Sequence, residues 1–60
     1  MDQYNLYYYI RGKCILHQNC GLQVLYVPTV GTLIEVSGMK WRVKEVVYMP
    51  THFRFDIEVE

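Results

Sequence analysis

The sequence predicts an all-β fold, a small SH3-like barrel of five to six short, bent antiparallel strands. Three observations predict it. Twenty-four of the 60 residues are β-branched or aromatic and none is alanine, a composition that suits pleated, half-buried strands and disfavours helices. The last residues alternate without a break, Phe53, Phe55, Ile57 and Val59 against His52, Arg54, Asp56, Glu58 and Glu60. That is the period of a strand with one dry and one wet face. Turn-forming Gly and Pro recur at short intervals, as they do between the strands of a small barrel. An OB-fold would be longer and would need a helix that no segment here can supply.

The elements follow in order. A first strand is expected from Gln3 to Ile10, with Leu6, Tyr8 and Ile10 on one face and Asn5, Tyr7 and Tyr9 on the other. Arg11-Gly12 reads as a turn, because Gly accepts positive φ. A short second strand is expected from Lys13 to His17, a turn at Gln18-Asn19-Cys20-Gly21, and a third strand from Leu22 to Val27 that Pro28 stops. The next strand, Thr32 to Ser37, leads into a two-residue loop at Gly38-Met39, which would set Val36 opposite Trp41 and Ile34 opposite Val43. Two consecutive polar residues, Lys44 and Glu45, break the alternation before Val46 and Tyr48 resume it, the signature of a β-bulge. Met49-Pro50-Thr51 then turns the chain into the last strand. The expected core is Leu6, Ile10, Val24, Ile34, Val36, Trp41, Val43, Val46, Phe53, Phe55 and Ile57.

Residues 1–60 make one domain. A chain this short buries roughly 60% of its unfolded surface, worth on the order of 90 kcal/mol, against about the same cost of ordering 60 residues. Small domains close such a gap with disulfides, metals or partner subunits. With 52% apolar residues, homo-oligomerisation is the expected source. Net charge is zero, which argues against duplex nucleic acid as a partner. There is no apolar run long enough for a membrane span and no basic, apolar leader at the N-terminus. The expected location is the cytoplasm. Cys14 and Cys20 are then expected as free thiols.

The stretch from Val27 to Val46 runs Pro28, Gly31, the Ile34-x-Val36 strand, Gly38, and Trp41-x-Val43-x-x-Val46. It resembles a pattern of short bacteriophage proteins, among them accessory proteins, and head–tail connectors carry similar hairpins. The likeness covers about a third of the chain. It implies a phage-type origin, so that the cytoplasm would be the host's, and a non-catalytic small barrel. It assigns no functional residue.

Cys14-x-x-His17-x-x-Cys20 has metal-ligand types, but strict strand alternation puts residues 14 and 17 on opposite faces, so no metal and no cofactor are expected. Cys14 or Cys20 with His17 or His52 could in principle form a nucleophile–base pair. Ser37 lacks an adjacent base. Asp56 and Glu58 share a wet strand face, but a barrel this small offers them little cleft. The chain is therefore read as non-catalytic, with no catalytic residues. The six tyrosines carry more information, since tyrosine joins a large contact area to a polar tip and is enriched at interfaces. With arginine it can also stack on nucleobases. The expected binding residues are Tyr7, Tyr9, Tyr48, Arg11, Arg42 and Arg54. The function expected from these features is a phage-type binding protein, an anti-defence style inhibitor that blocks or sequesters a host factor. Its target would be a host protein or a small nucleotide signal. A structural connector and a single-strand nucleic-acid binder are the alternatives.

Overall fold

The computed structural model describes residues 3–21, 23 and 25–60. Five strands form one nearly closed, barrel-like sheet in the order β2-β1-β5-β4-β3. They are β1 (Gln3–Ile10), β2 (Lys13–Gly21), β3 (Leu33–Val36), β4 (Met39–Met49) and β5 (Arg54–Val59). Three of the four pairings are antiparallel; β1 and β5 run parallel. The first strand and the last therefore lie side by side at the centre of the sheet, and β2 and β3 are its edges.

The inner face holds the core. Leu6, Tyr8, Val43, Ile57 and Val59 are buried, with Ile10, Ile34, Trp41, Val46 and Phe55 half-buried against them. Val36 is also half-buried. The parallel register sets Leu6 beside Phe55 and Tyr8 beside Ile57, so the apolar stripe of β1 fuses with that of β5. Two expected core members depart from this picture. Val24 lies outside the described residues. Phe53 is 46% exposed, because Pro50–His52 forms a 3-10 turn that ends on Phe53 with φ 50. The pleat begins only at Arg54, and the Phe53 ring leans edge-on against Tyr4 at 5.5 Å.

Strand β2 runs four residues past His17, through the expected turn at Gln18-Asn19-Cys20-Gly21. The cause is its partner: β1 pairs along its whole length, from Ile10↔Lys13 to Gln3↔Gly21, and pairing overrides the turn preference of Asn and Gly. The strand expected from Leu22 to Val27 is absent over its described part, Gln23 and Leu25–Val27. Having left β2 at one edge, this segment must cross to β3 at the other. It packs Leu25 and Val27 on the core on the way, with Pro28 fully buried.

The β3–β4 turn is Ser37-Gly38, not Gly38-Met39. Both residues have positive φ, 54 and 83, the pattern of a type I′ loop, and the pairs are Val36↔Met39 and Ile34↔Trp41. The register slides by two in its pairing sum, so every side chain keeps its expected face. The bulge falls where the polar doublet placed it: the β4–β5 register skips Lys44, between Val43↔Val59 and Glu45↔Glu58. A second bulge, at Ile15 opposite Tyr8/Tyr9, turns both Ile15 and Leu16 toward the core.

Two outcomes test this packing. Ile57→Ala should cost about 2–5 kcal/mol, as a cavity at a closed site does, while Phe53→Ala should cost about 1 kcal/mol, the scale of one aromatic pair; urea unfolding of both variants measures the order. Tyr8 provides the second. Burial, followed by the nearby Cys20 and Tyr26, raises its pKa above the ordinary 10.0. A raised folded-state value gives stability that is complete below the unfolded pKa and is lost as pH climbs through the folded one. Stability should therefore fall as pH rises past the ordinary 10.0, and fall less in Tyr8→Phe, which keeps the other tyrosines.

Candidate functional site

The outer face of β2-β1-β5-β4 presents three rows of side chains across four strands. One runs Asn19, Asn5, Arg54, Met49, the next His17, Tyr7, Asp56, Val47, and the third Cys14, Tyr9, Glu58, Glu45. In the middle of this face the side chains hold one another. Arg54 Nε donates to Asp56 Oδ1 at 2.7 Å and Nη2 to the Tyr9 hydroxyl at 2.8 Å, while its guanidinium carbon sits 4.2 Å from the centre of the Tyr7 ring. The imidazole of His17 stacks on Tyr7 at 4.4 Å, only 5° from parallel. Arg54 arrives from β5 and His17 from β2, so the Tyr7 ring is met from both neighbouring strands.

His17 is itself tethered. Its Nε2 lies 2.9 Å from Asn5 Oδ1, which also accepts from Asn19 Nδ2 at 2.9 Å. A carboxamide oxygen only accepts, so His17 carries a proton on Nε2. The hydrogen bond to Asp56 is the main cause that lifts the Arg54 pKa above its ordinary value, with the Asp56 charge adding and desolvation opposing. The cation therefore persists at every workable pH. Toward the β1–β2 turn the face becomes acidic: Glu45 and Glu58 stand directly opposite each other, an unfavourable like-charge pair, and Lys44 Nζ approaches Glu58 only to 4.0 Å. An open recess of ≈ 320 Å³ lies here, lined by Tyr9, Gly12, Glu45, Val47, Asp56 and Glu58.

Of the six residues expected to bind, three come together: Tyr7, Tyr9 and Arg54. The others are elsewhere. Tyr48 lies on the opposite face at one mouth of the barrel, stacked on Phe55 at 4.8 Å. Arg42 is tied to the loop that precedes β3, donating from Nη1 to the Gly31 carbonyl at 3.1 Å. Arg11 occupies the β1–β2 turn at the other mouth. The alternation of β1 already set Asn5 on the Tyr7 and Tyr9 face, but His17 and Asn19 were not expected there. His17 and Asn19 stand opposite Tyr7 and Asn5 only because β2 continues past the expected turn.

Strict alternation, which would put Cys14 and His17 on opposite faces, does not hold in β2. The Ile15 bulge shifts the phase, so Cys14 and His17 pair with Tyr9 and Tyr7 and share the outer face. Cys20 pairs with Tyr4 on the inner face and is the member that breaks the triad. Among the described residues no group of three His, Cys, Asp or Glu could hold a metal ion. The Cys14 thiol donates to the Leu16 carbonyl at 3.6 Å. Among the described residues no helix is long and apolar enough to cross a membrane. No protein-family model, curated protein or solved structure matches the chain.

Both cysteines are free, and their placement forbids an intrachain bridge. Six residue-to-residue steps of strand lie between them, about 20 Å at strand rise, far beyond the roughly 7 Å a disulfide spans. After air oxidation the monomer fraction should titrate two thiols, and its intact mass should show no loss of two hydrogens.

Proposed function

We propose that the chain is a non-catalytic binding protein that docks a partner protein on the outer face around Tyr7, Tyr9 and Arg54. The observation that carries this reading is the His17–Tyr7–Arg54 stack with its anchor on Asp56. Tyrosine and arginine are the residue types that dominate binding energy at protein interfaces. Here they are locked in place before any partner arrives, which lowers the entropy lost on docking. The same stack weighs against a nucleobase on this face, since Tyr7 already carries His17 and Arg54. Zero net charge points the same way.

The phage-like hairpin of residues 27–46 supplies the class of partner, a host protein, and makes the effect of docking a block on that protein. The test is capture from host extract with immobilised wild type and with Tyr7→Ser/Tyr9→Ser, both checked for folding by circular dichroism. Wild type should hold one host protein near stoichiometric yield, and the double variant about tenfold less or lower, the scale of losing 1–2 kcal/mol at a contact. Undiminished capture by the variant would refute the assignment. Sedimentation separates the rival use of the face: a wild-type dimer dissolved by the same substitutions would mean self-association.

A further inference from the structure

The sheet leaves one long edge uncovered. Strand β2 pairs with β1 on one side only. Among the described residues no other main chain bonds to it, and the one side-chain hydrogen bond to its backbone is that of the Cys14 thiol. Across a cleft of ≈ 270 Å³ from its inner side chains stand Tyr26, Pro28 and Ile34. The crossing segment and β3 therefore face this edge without pairing with it. Proteins blunt such edges with charge, proline, bulges or short length. The other edge strand, β3, is four residues long and carries Glu35. Strand β2 is nine residues long. Beyond its bulge at Ile15 the ladder is regular from Leu16 to Gly21, and that stretch holds no Asp, Glu, Lys, Arg or Pro. Its inner side chains Leu16 and Cys20 are only half-buried.

We propose that β2 pairs antiparallel with β2 of a second copy of this chain, about a twofold axis through Gln18. The strand selects itself as partner because it complements itself. A twofold axis normal to the sheet keeps inner side chains on the inner face, so it must pass through a residue. At Gln18 it sets Leu16 beside Cys20 of the second copy, and His17 beside Asn19 of the second copy, each pair occurring twice. Apolar groups meet on the inner side, hydrogen-bonding groups on the outer side, and no like charges are opposed. An axis at His17 would run the pairing through the Ile15 bulge, and one at Asn19 would lose both Leu16–Cys20 pairs. The union satisfies the free donors and acceptors of the edge and covers Leu16 and Cys20. It supplies the subunit contact that so small a domain lacks. Main chain makes the joint, so His17 and Asn19 keep their side-chain bonds to Asn5. The outer faces of the two copies then form one continuous surface.

Sedimentation of the wild-type chain at high micromolar concentration should give twice its 7.2 kDa. Amide exchange in β2 should slow as concentration rises, while that in β3 stays constant. Gln18 is exposed, so a charge there should leave the fold intact, which circular dichroism checks. Gln18→Lys and Gln18→Glu should each weaken the dimer about tenfold or more, because identical charges then face each other across the axis. An equal mixture of the two variants should dimerise again, and salt should weaken that mixed dimer. Tyr7→Ser/Tyr9→Ser should dimerise as wild type does. The proposal is overturned if the wild type stays a monomer, which would leave the edge to a strand of another protein. It is overturned equally if β2 exchange ignores concentration, if either folded charge variant alone dimerises as tightly as wild type, or if the mixture of folded variants stays monomeric. Loss of the dimer in the folded tyrosine variant would place the contact on the outer face instead.

Discussion

The architecture depends on one strand changing partners. Over Met39–Arg42, β4 belongs to the hairpin with β3; from Val43 onward it belongs to the central sheet with β5. At the changeover both edges are used at once. Arg42 exchanges backbone hydrogen bonds with Glu60 at 2.9–3.0 Å, while Val43 donates to Thr32 and accepts from Gly31, both at 2.9 Å. A flat strand could not serve both ladders and still fold its two halves toward one interior. The bulge at Lys44 supplies the bend, and Val43, immediately before it, is among the most buried side chains of the molecule. Curvature, core and barrel shape therefore share one short segment.

From that bend follows a division of labour between the two sides of a single-layer wall. The inner side collects Leu6, Tyr8, Val43, Ile57 and Val59, and nearly every other apolar residue is only partly covered. The outer side is covered by its own polar and aromatic neighbours instead of by a second layer. Tyr7 is half-buried because His17 and Arg54 lie against it, and Tyr9 is reached by the same guanidinium. Side-chain cross-links of this kind make the face well ordered while leaving it open to a partner. The mouth aromatics Tyr48 and Phe53 stay largely exposed, a consequence of having so few residues with which to seal a barrel end.

Much of the fold was legible in the sequence, for a local reason. The bounds of β1, the alternation of β5 from Arg54, the Lys44 bulge and the inward facing of Leu6 and Ile57 all follow from period-two patterning read along one segment. What was not legible depends on partners far along the chain. Gln18-Asn19-Cys20-Gly21 carries turn residues, and only the length of β1 explains why it is strand. The parallel β1–β5 pairing leaves no mark on either strand, since both alternate as antiparallel strands do. One signal was present: Ile15-Leu16, two apolar residues in a row, marks a bulge as plainly as Lys44-Glu45 does. Reading it would have put Cys14 and His17 on the tyrosine face. Tyr7, Tyr9 and Arg54 were found from residue type, and Asn5 and Asp56 share their faces by alternation alone. His17 and Asn19 required the register of β2.

The side-by-side placement of β1 and β5 also governs the order in which this protein can acquire its structure. Leu6 lies beside Phe55 and Tyr8 beside Ile57, contacts that span most of the chain. During synthesis, β1 and β2 can pair as a local hairpin, and β3 with β4 as another. The interior they share does not exist until β5 arrives to sit between them. High contact order of this type slows folding relative to chains of the same size with local contacts, because the closure entropy is lost before the core rewards it. Until that moment the apolar stripes of both hairpins face water. The least protected period in the life of this barrel thus comes before β5 has been inserted, and its last strand acts as the latch.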